Sequence, residues 1–304
     1  MRIVVHGQQA FGRTVLERLV ERKEEVVGVF CAPDRDGRPD DPLKELALEK
    51  GLPLHQPASW KTEEAAALMR SFAPDLCVMA YVTLFVPQPV LDIPKLGTIQ
   101  YHPSLLPRHR GPSSINWPII QGETKTGLTI FWPDEGLDEG PILLQKEVAI
   151  RPDDTLGSLY FNQLFPMGVD AILEAVDMVR DGKAPRVEQD HSRATYESWC
   201  RQADAEIDWS KPVREVYNLI RGTNPQPGAW TTVAGNELKI FDCNPVEAGG
   251  APGEVTAITG EGFTVGCGDG GLLVRRVRPH DGGKMPAADY VSAAGLSVGL
   301  RLGA

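Results

Sequence analysis

The first hundred residues alternate short apolar runs with segments of helical period. The runs lie at 3–6, 25–31, 52–55, 76–80 and 96–99. Between the first two, Val15, Leu16, Leu19 and Val20 recur at helical spacing; Leu43, Leu46 and Ala47 do so after the second, and residues 62–71 read as a third helix. Continuous apolar runs of this length are buried on both faces, and strands separated by helices build a parallel, doubly wound sheet. This opening is Rossmann-like. The turn after the first strand, residues 7–12, is bounded by Gly7 and Gly12, but Gln9 stands where a dinucleotide fingerprint needs its second glycine. No Lys-Ser/Thr follows Gly12, so the turn is not a phosphate-gripping loop either.

Further along, residues 128–132 and 142–150 read as strands, and Asp154 or Thr155 is placed to cap a helix. Pro166 opens a longer helix that Gly182 ends. Ser113 or Ser114 is a candidate cap for a short helix over 115–120. Residues 183–205 are polar and irregular. Beyond them come one helix and a series of short strands with Gly/Pro turns, the pattern of a small barrel. The expected organisation is therefore a catalytic domain over 1–182, a linker over 183–205 and a second domain over 206–304.

The stretch most able to carry chemistry follows the run at 96–99. It reads Gln100-Tyr101-His102-Pro103-Ser104-Leu105-Leu106-Pro107-Arg108-His109-Arg110-Gly111. Proline fixes φ and removes a donor, so His102 leaves its strand into a rigid extended exit. Strand ends of α/β sheets are where ligands meet the fold. A partner is offered by Asp138 in Gly136-Leu137-Asp138-Glu139-Gly140, where flanking glycines permit a tight turn. Imidazole titrates near neutral pH, and a neighbouring carboxylate favours its charged form and fixes its tautomer, so the two form an acid/base pair or else a structural histidine and a turn aspartate. Gln100 lies two positions before His102, on the same side of a continuing strand, where its amide is an oxyanion donor or simply a polar strand end. Arg108 and Arg110 either meet a substrate carboxylate or form a solvated loop face. Tyr81, Leu84, Phe85 and Val86 form an apolar slot for a flat ring, or core contacts.

The formal net charge of -10 weighs against a general nucleic-acid or membrane-surface binder. Five scattered cysteines, odd in number and without a CxxC, point to reduced thiols and a cytoplasmic protein rather than a disulfide frame or a zinc site. The N-terminus begins directly with a strand and lacks a signal-peptide pattern, and no apolar run is long enough to span a bilayer.

Residues 102–111, Ile115-Asn116-Trp117 and residues 136–140 together resemble the folate-dependent formyltransferases. The likeness is greatest to the hydrolase domain at the N-terminus of 10-formyltetrahydrofolate dehydrogenase. It runs from Gly7-Gln8 and Pro33-Asp34 through Leu143-Leu144-Gln145-Lys146-Glu147, Ile207-Asp208-Trp209 and Ile220-Arg221-Gly222 to Pro227-Gly228-Ala229-Trp230. Methionyl-tRNA formyltransferases are similar over the same layout. The resemblance implies a Rossmann-like formyltransferase domain with a parallel sheet, followed by a small OB-like β-barrel domain. It implies 10-formyltetrahydrofolate as formyl donor, tetrahydrofolate as product and no metal. It makes His102 the general acid and oxyanion partner, and Asp138 the group that orients it and manages the proton of the nucleophile. The pterin would lie against Leu84, Phe85 and Val86. Gln100 departs from the family: the tRNA enzymes carry asparagine there and the dehydrogenase domain an aliphatic residue.

The acceptor stays open between water, a thiol on an acyl-carrier-type partner, a small amine and tRNA. A tRNA enzyme calls for a basic loop after the second strand. Residues 33–44 instead set Arg35, Arg38 and Lys44 against Asp34, Asp36, Asp40 and Asp41. From residue 206 onward nine Lys/Arg face eleven Asp/Glu, which does not make a counterion-releasing surface. A folate-binding sensor without turnover is the alternative outside enzymology.

Overall fold

The computed structural model describes residues 1–247 and 249–303. They form two compact units. The first comprises Met1–Gly111, Gly127–Val148 and Asn162–Tyr196; the second comprises Pro112–Thr126, Ala149–Phe161 and residues from Glu197 onward.

In chain order the strands of the first sheet are β1 (Arg2–Gly7), β2 (Glu25–Phe30), β3 (Leu54–His55), β4 (Leu76–Ala80), β5 (Thr98–His102), β6 (Lys125–Phe131) and β7 (Ile142–Ala149). They are ordered β3-β2-β1-β4-β5-β6-β7. Helices α1 (Gln9–Glu21), α2 (Pro42–Glu49), α3 (Glu63–Ser71) and α4 (Gln88–Leu91) fall between the first five strands. Local chemistry fixes their starts: the Asp41 carboxylate accepts from Leu43 N at 2.9 Å, and Thr62 Oγ1 accepts from Ala65 N at 3.3 Å. Strands β1 to β5 pair in parallel, as the sequence implies.

The expectation of a parallel sheet fails at β6. Gln100, Tyr101 and His102 pair antiparallel with Phe131, Ile130 and Thr129, so the sheet is mixed. A parallel neighbour needs a crossover that carries the chain back to the edge from which β5 started. The residues between β5 and β6 supply only the five-residue helix α5 (Asn116–Ile120), which belongs to the second unit. It has no side-chain cap; Ser113 Oγ accepts from Cys200 N instead.

Residues of β1 alternate between two cores. Ile3 and Val5 join α1 and the later helix α7 (Phe165–Arg180), which follows α6 (Leu156–Leu159). Val4 joins Phe30, Trp60, Met69 and Met79 on the other face. His6 is buried on that second face, with its ring 5.0 Å from Trp60 and 6.5 Å from Phe30. The strand ends at Gly7, where a Cβ would lie 2.3 Å from the Ala80 carbonyl oxygen at the end of β4. Only glycine lets β1 and β4 finish that close together.

The second unit is an antiparallel sheet. Strands β8 (Ala229–Val233), β9 (Asn236–Val246), β10 (Val255–Thr259), β11 (Gly262–Gly266) and β12 (Gly271–Pro279) run in the order β10-β11-β12-β9-β8, and β13 (Met285–Pro286) pairs with β12. Helices α8 (Val213–Gly222) and α9 (Ala287–Ala294) contribute Val216, Ile220, Ala287 and Tyr290 to its core. Among the described residues, no helix is long and apolar enough to cross a membrane.

Two expected outcomes follow from β1. Gly7→Ala forces β1 from β4 and lowers the free energy of unfolding by about 1–3 kcal/mol, read from urea melts. Burial pushes the His6 pKa down to about 3 from 6.5. The unfolded chain therefore binds a proton that the folded chain refuses, and this part of the stability is present above pH 6.5 and lost as pH falls towards 3. Urea melts between roughly pH 6.5 and 4 should lose up to about 1.4 kcal/mol per pH unit from this residue, and His6→Leu should flatten that slope.

Candidate active site

His102 is the last residue of β5, at the carboxyl edge of the sheet, and is buried. Its Nε2 lies 2.8 Å from the carbonyl oxygen of His109. A carbonyl only accepts, so this nitrogen carries the hydrogen and donates it. Nδ1 is left on the other side of the ring, 3.6 Å from Asp138 Oδ2. That separation exceeds a direct hydrogen bond. The same carboxylate oxygen accepts from Gly111 N at 2.8 Å. Asp138 is 8% exposed and sits at φ 57°, a left-handed conformation uncommon for a residue with a side chain. The pair expected from the sequence is therefore brought together, by a carbonyl and an N–H two residues apart.

The loop between them is pinned from below. Thr129 lies opposite His102 on β6. Its hydroxyl donates to Ser104 O at 2.7 Å and accepts from Leu106 N at 3.1 Å and Gln145 Nε2 at 2.9 Å. Gln145 also donates to Leu106 O at 2.7 Å, and Ser104 Oγ donates to Arg108 O at 2.7 Å.

Arg110 is not on a solvated face, and it is too enclosed to meet a substrate carboxylate: it is 1% exposed. Its Nε and Nη2 donate to Gln189 Oε1 at 3.1 and 2.7 Å, and its Nη1 donates to the Tyr196 hydroxyl. Gln189 Nε2 donates in turn to the carbonyls of Asp138 and Gly140, at 2.9 and 2.8 Å. Tyr196 donates to Glu139 Oε1 at 2.6 Å. Gln189, Thr195 and Tyr196 fall in the stretch read as a linker, and sequence reasoning missed them. A signal was present: Val187 and Tyr196 are apolar or aromatic in a segment that lacks the Gly/Ser composition of a spacer.

The other expected residues lie along the same sheet edge. Gln100 is half-buried in β5, and its side chain takes no hydrogen bond among the described residues. Residues 81–86 leave the carboxyl end of β4, the parallel neighbour of β5. Tyr81 and Phe85 are 46% and 59% exposed, Leu84 is half-buried and Val86 is buried. Gln8, at the end of β1, donates to Thr83 Oγ1 at 3.2 Å, tying this loop to the neighbouring strand end. Arg108 is exposed. Burial pushes the Cys31 and Cys77 thiols up to about 12, which removes them as nucleophiles near neutral pH. Among the described residues no group of three or more His, Cys, Asp or Glu is placed to hold a metal ion.

A mixed sheet followed by an antiparallel unit is the two-domain α/β architecture of the formyl transferases. Residues 1–176 match the profile described as formyl transferase, residues 200–295 match that of the formyl transferase C-terminal domain, and the chain belongs to this family. It is 40% identical over 316 residues to the mitochondrial 10-formyltetrahydrofolate dehydrogenase of Mus musculus, a match over 98% of this chain and 34% of that protein. The chain thus spans about a third of the length of that relative. It is 38% identical over 308 residues to the methionyl-tRNA formyltransferase of Geotalea daltonii, covering 100% of this chain and 98% of that one. The structure of HypX from Aquifex aeolicus in complex with tetrahydrofolic acid shares the fold, with a TM-score of 0.70 and 24% identity over 98% of this chain and 48% of the other.

Replacing Thr129 by valine keeps its shape and leaves Leu106 N and Ser104 O without this partner. Thr129→Val is expected to cost about 1–3 kcal/mol of stability, read by denaturant melts.

Proposed function

We propose that this chain takes the formyl group from 10-formyltetrahydrofolate and passes it to water or to a small nucleophile, releasing tetrahydrofolate. The observation that carries the reading is the convergence of His102 Nδ1 and Asp138 Oδ2 to 3.6 Å at the carboxyl edge of the sheet. In this reading the formyl group sits beside both. Asp138 takes the proton of the attacking water or amine as its oxygen or nitrogen bonds to the formyl carbon. The carbonyl π pair moves onto oxygen, and the oxyanion is stabilised by His102 in its doubly protonated form, with Nε2 still donating to His109 O. Gln100, two residues back on the same side of β5, adds its amide to that oxygen. The intermediate then collapses, the bond from carbon to N10 breaks, and His102 supplies the proton that N10 needs to leave. The pterin stacks against Tyr81, Leu84, Phe85 and Val86, and Arg108 meets a carboxylate of the donor. With water as acceptor the products are formate and tetrahydrofolate. The second unit, in the same reading, is a barrel of the OB type, and the protein works in the cytoplasm.

Transfer to initiator methionyl-tRNA is the second reading. The full-length match to the Geotalea daltonii enzyme favours it. Against it, Lys44, in the first turn of α2 at the end of the stretch 33–44, is already paired with Asp34 and Asp40, at 2.5 and 2.8 Å. Transfer to a carrier-bound thiol would need a partner supplied in trans.

The purified protein is to be given 10-formyltetrahydrofolate alone and then with charged initiator tRNA. Tetrahydrofolate released without an acceptor is the expected result; turnover only with tRNA would install the second reading. His102→Asn and Asp138→Asn should each lower kcat by about a hundredfold to ten-thousandfold. Binding of tetrahydrofolate, followed by fluorescence, should stay intact in both, because neither change touches the apolar slot.

A further inference from the structure

We propose that Arg110 and Gln189 are positioning residues that set the separation of His102 and Asp138 without touching substrate. The inference deepens the acid–base reading above and rests on it for its kinetic consequence.

Arg110 is the middle residue of a tripeptide with one bond to each member of the pair. The preceding residue, His109, gives its carbonyl to His102 Nε2, and the following residue, Gly111, gives its N–H to Asp138 Oδ2, each at 2.8 Å. Both neighbours are in left-handed backbone conformations, φ 54° at His109 and 89° at Gly111. A non-glycine residue there is disfavoured and persists only where its surroundings hold it. The backbone is stitched to Thr195, whose Oγ1 accepts from His109 N at 2.8 Å and whose carbonyl accepts from Arg110 N at 3.0 Å. The buried guanidinium is a further anchor.

From that guanidinium two arms reach the turn that carries Asp138. One runs through Gln189. Its oxygen accepts twice from Arg110 and its nitrogen donates to the carbonyls of Asp138 and Gly140. The amide orientation is fixed by chemistry, because a guanidinium only donates and carbonyls only accept. All four of its hydrogen-bonding positions are used, and the side chain is 4% exposed. The other arm runs through the Tyr196 hydroxyl, which takes a hydrogen bond from Arg110 and donates to Glu139. His191 Nδ1 lies 3.3 Å from Arg110 Nη2 and completes the cage. A rotation of the tripeptide would therefore move imidazole and carboxylate together, while a change in Gln189 would move the carboxylate relative to the imidazole.

Gln189→Glu tests this at constant size. The carboxylate still accepts from Arg110 but cannot donate, so it repels the Asp138 and Gly140 carbonyls. In protein shown to be folded by circular dichroism, kcat should fall by about a hundredfold, the scale set by misplacing reacting groups by an ångström. KM for 10-formyltetrahydrofolate should hold within about threefold, and the pH limb of kcat should move. Tyr196→Phe removes one arm at a half-exposed residue and, in protein shown to be folded in the same way, should lower kcat by about tenfold with the same unmoved KM. Nitrogen NMR of the His102 ring, which needs no turnover, should show displaced resonances in both variants. Wild-type kcat, an unmoved pH limb and unmoved His102 resonances in the folded variants would overturn the proposal. If His102→Asn is inactive while Gln189→Glu keeps full turnover, this inference alone fails. Full turnover in His102→Asn would sink the acid–base reading, and the ring resonances would still decide whether Gln189 positions His102.

Discussion

A carbonyl and an N–H, two residues apart, hold an imidazole–carboxylate pair at the carboxyl edge of the first sheet. The His109 carbonyl orients the ring of His102 and the Gly111 N–H orients the carboxylate of Asp138. Backbone groups cannot choose rotamers, so both side chains are placed as accurately as the main chain of residues 109–111. That main chain is in an unfavourable conformation, and the interior pays for it with a buried guanidinium. A buried charge is costly unless it is fully bonded, and here Gln189 and Tyr196 supply the bonds.

The mixed sheet serves the same end. Because β6 returns antiparallel, Thr129 lies beside His102, and one hydroxyl can reach the backbone of the rigid exit on both sides of Leu105. A crossover strand would have placed its side chains by a different register. The close finish of β1 and β4 at Gly7 brings the Gln8 amide to Thr83, which fixes the start of the apolar loop over 81–86.

Much of this was legible in the sequence. Strands β1, β2 and β4 are continuous apolar runs, and Thr62 and Pro166 announce their helices by local chemistry that needs no tertiary partner. His102 and Asp138 stood out because prolines and glycines around them restrict the backbone. The antiparallel entry of β6 was not legible, since strand direction depends on where the connection runs and periodicity is blind to it. Arg110 read as a substrate-carboxylate partner or a solvated cation because burial of a guanidinium requires partners that lie about 80 positions away, at Gln189 and Tyr196. Those partners sit in a polar stretch whose composition reads as connection, and only the fold reveals that the polarity is spent on internal hydrogen bonds.

The attachment of His102 Nε2 to a main-chain carbonyl has a consequence for how charge can travel. An imidazole with both nitrogens open can act as a relay, taking a proton on one side and giving it up on the other. This ring has one working face. In the proposed reaction, whatever Nδ1 gives away comes back through Nδ1. This leaves Nδ1 as the nitrogen through which the ring gives and regains its proton, and each turnover of that reaction returns the ring to its starting state.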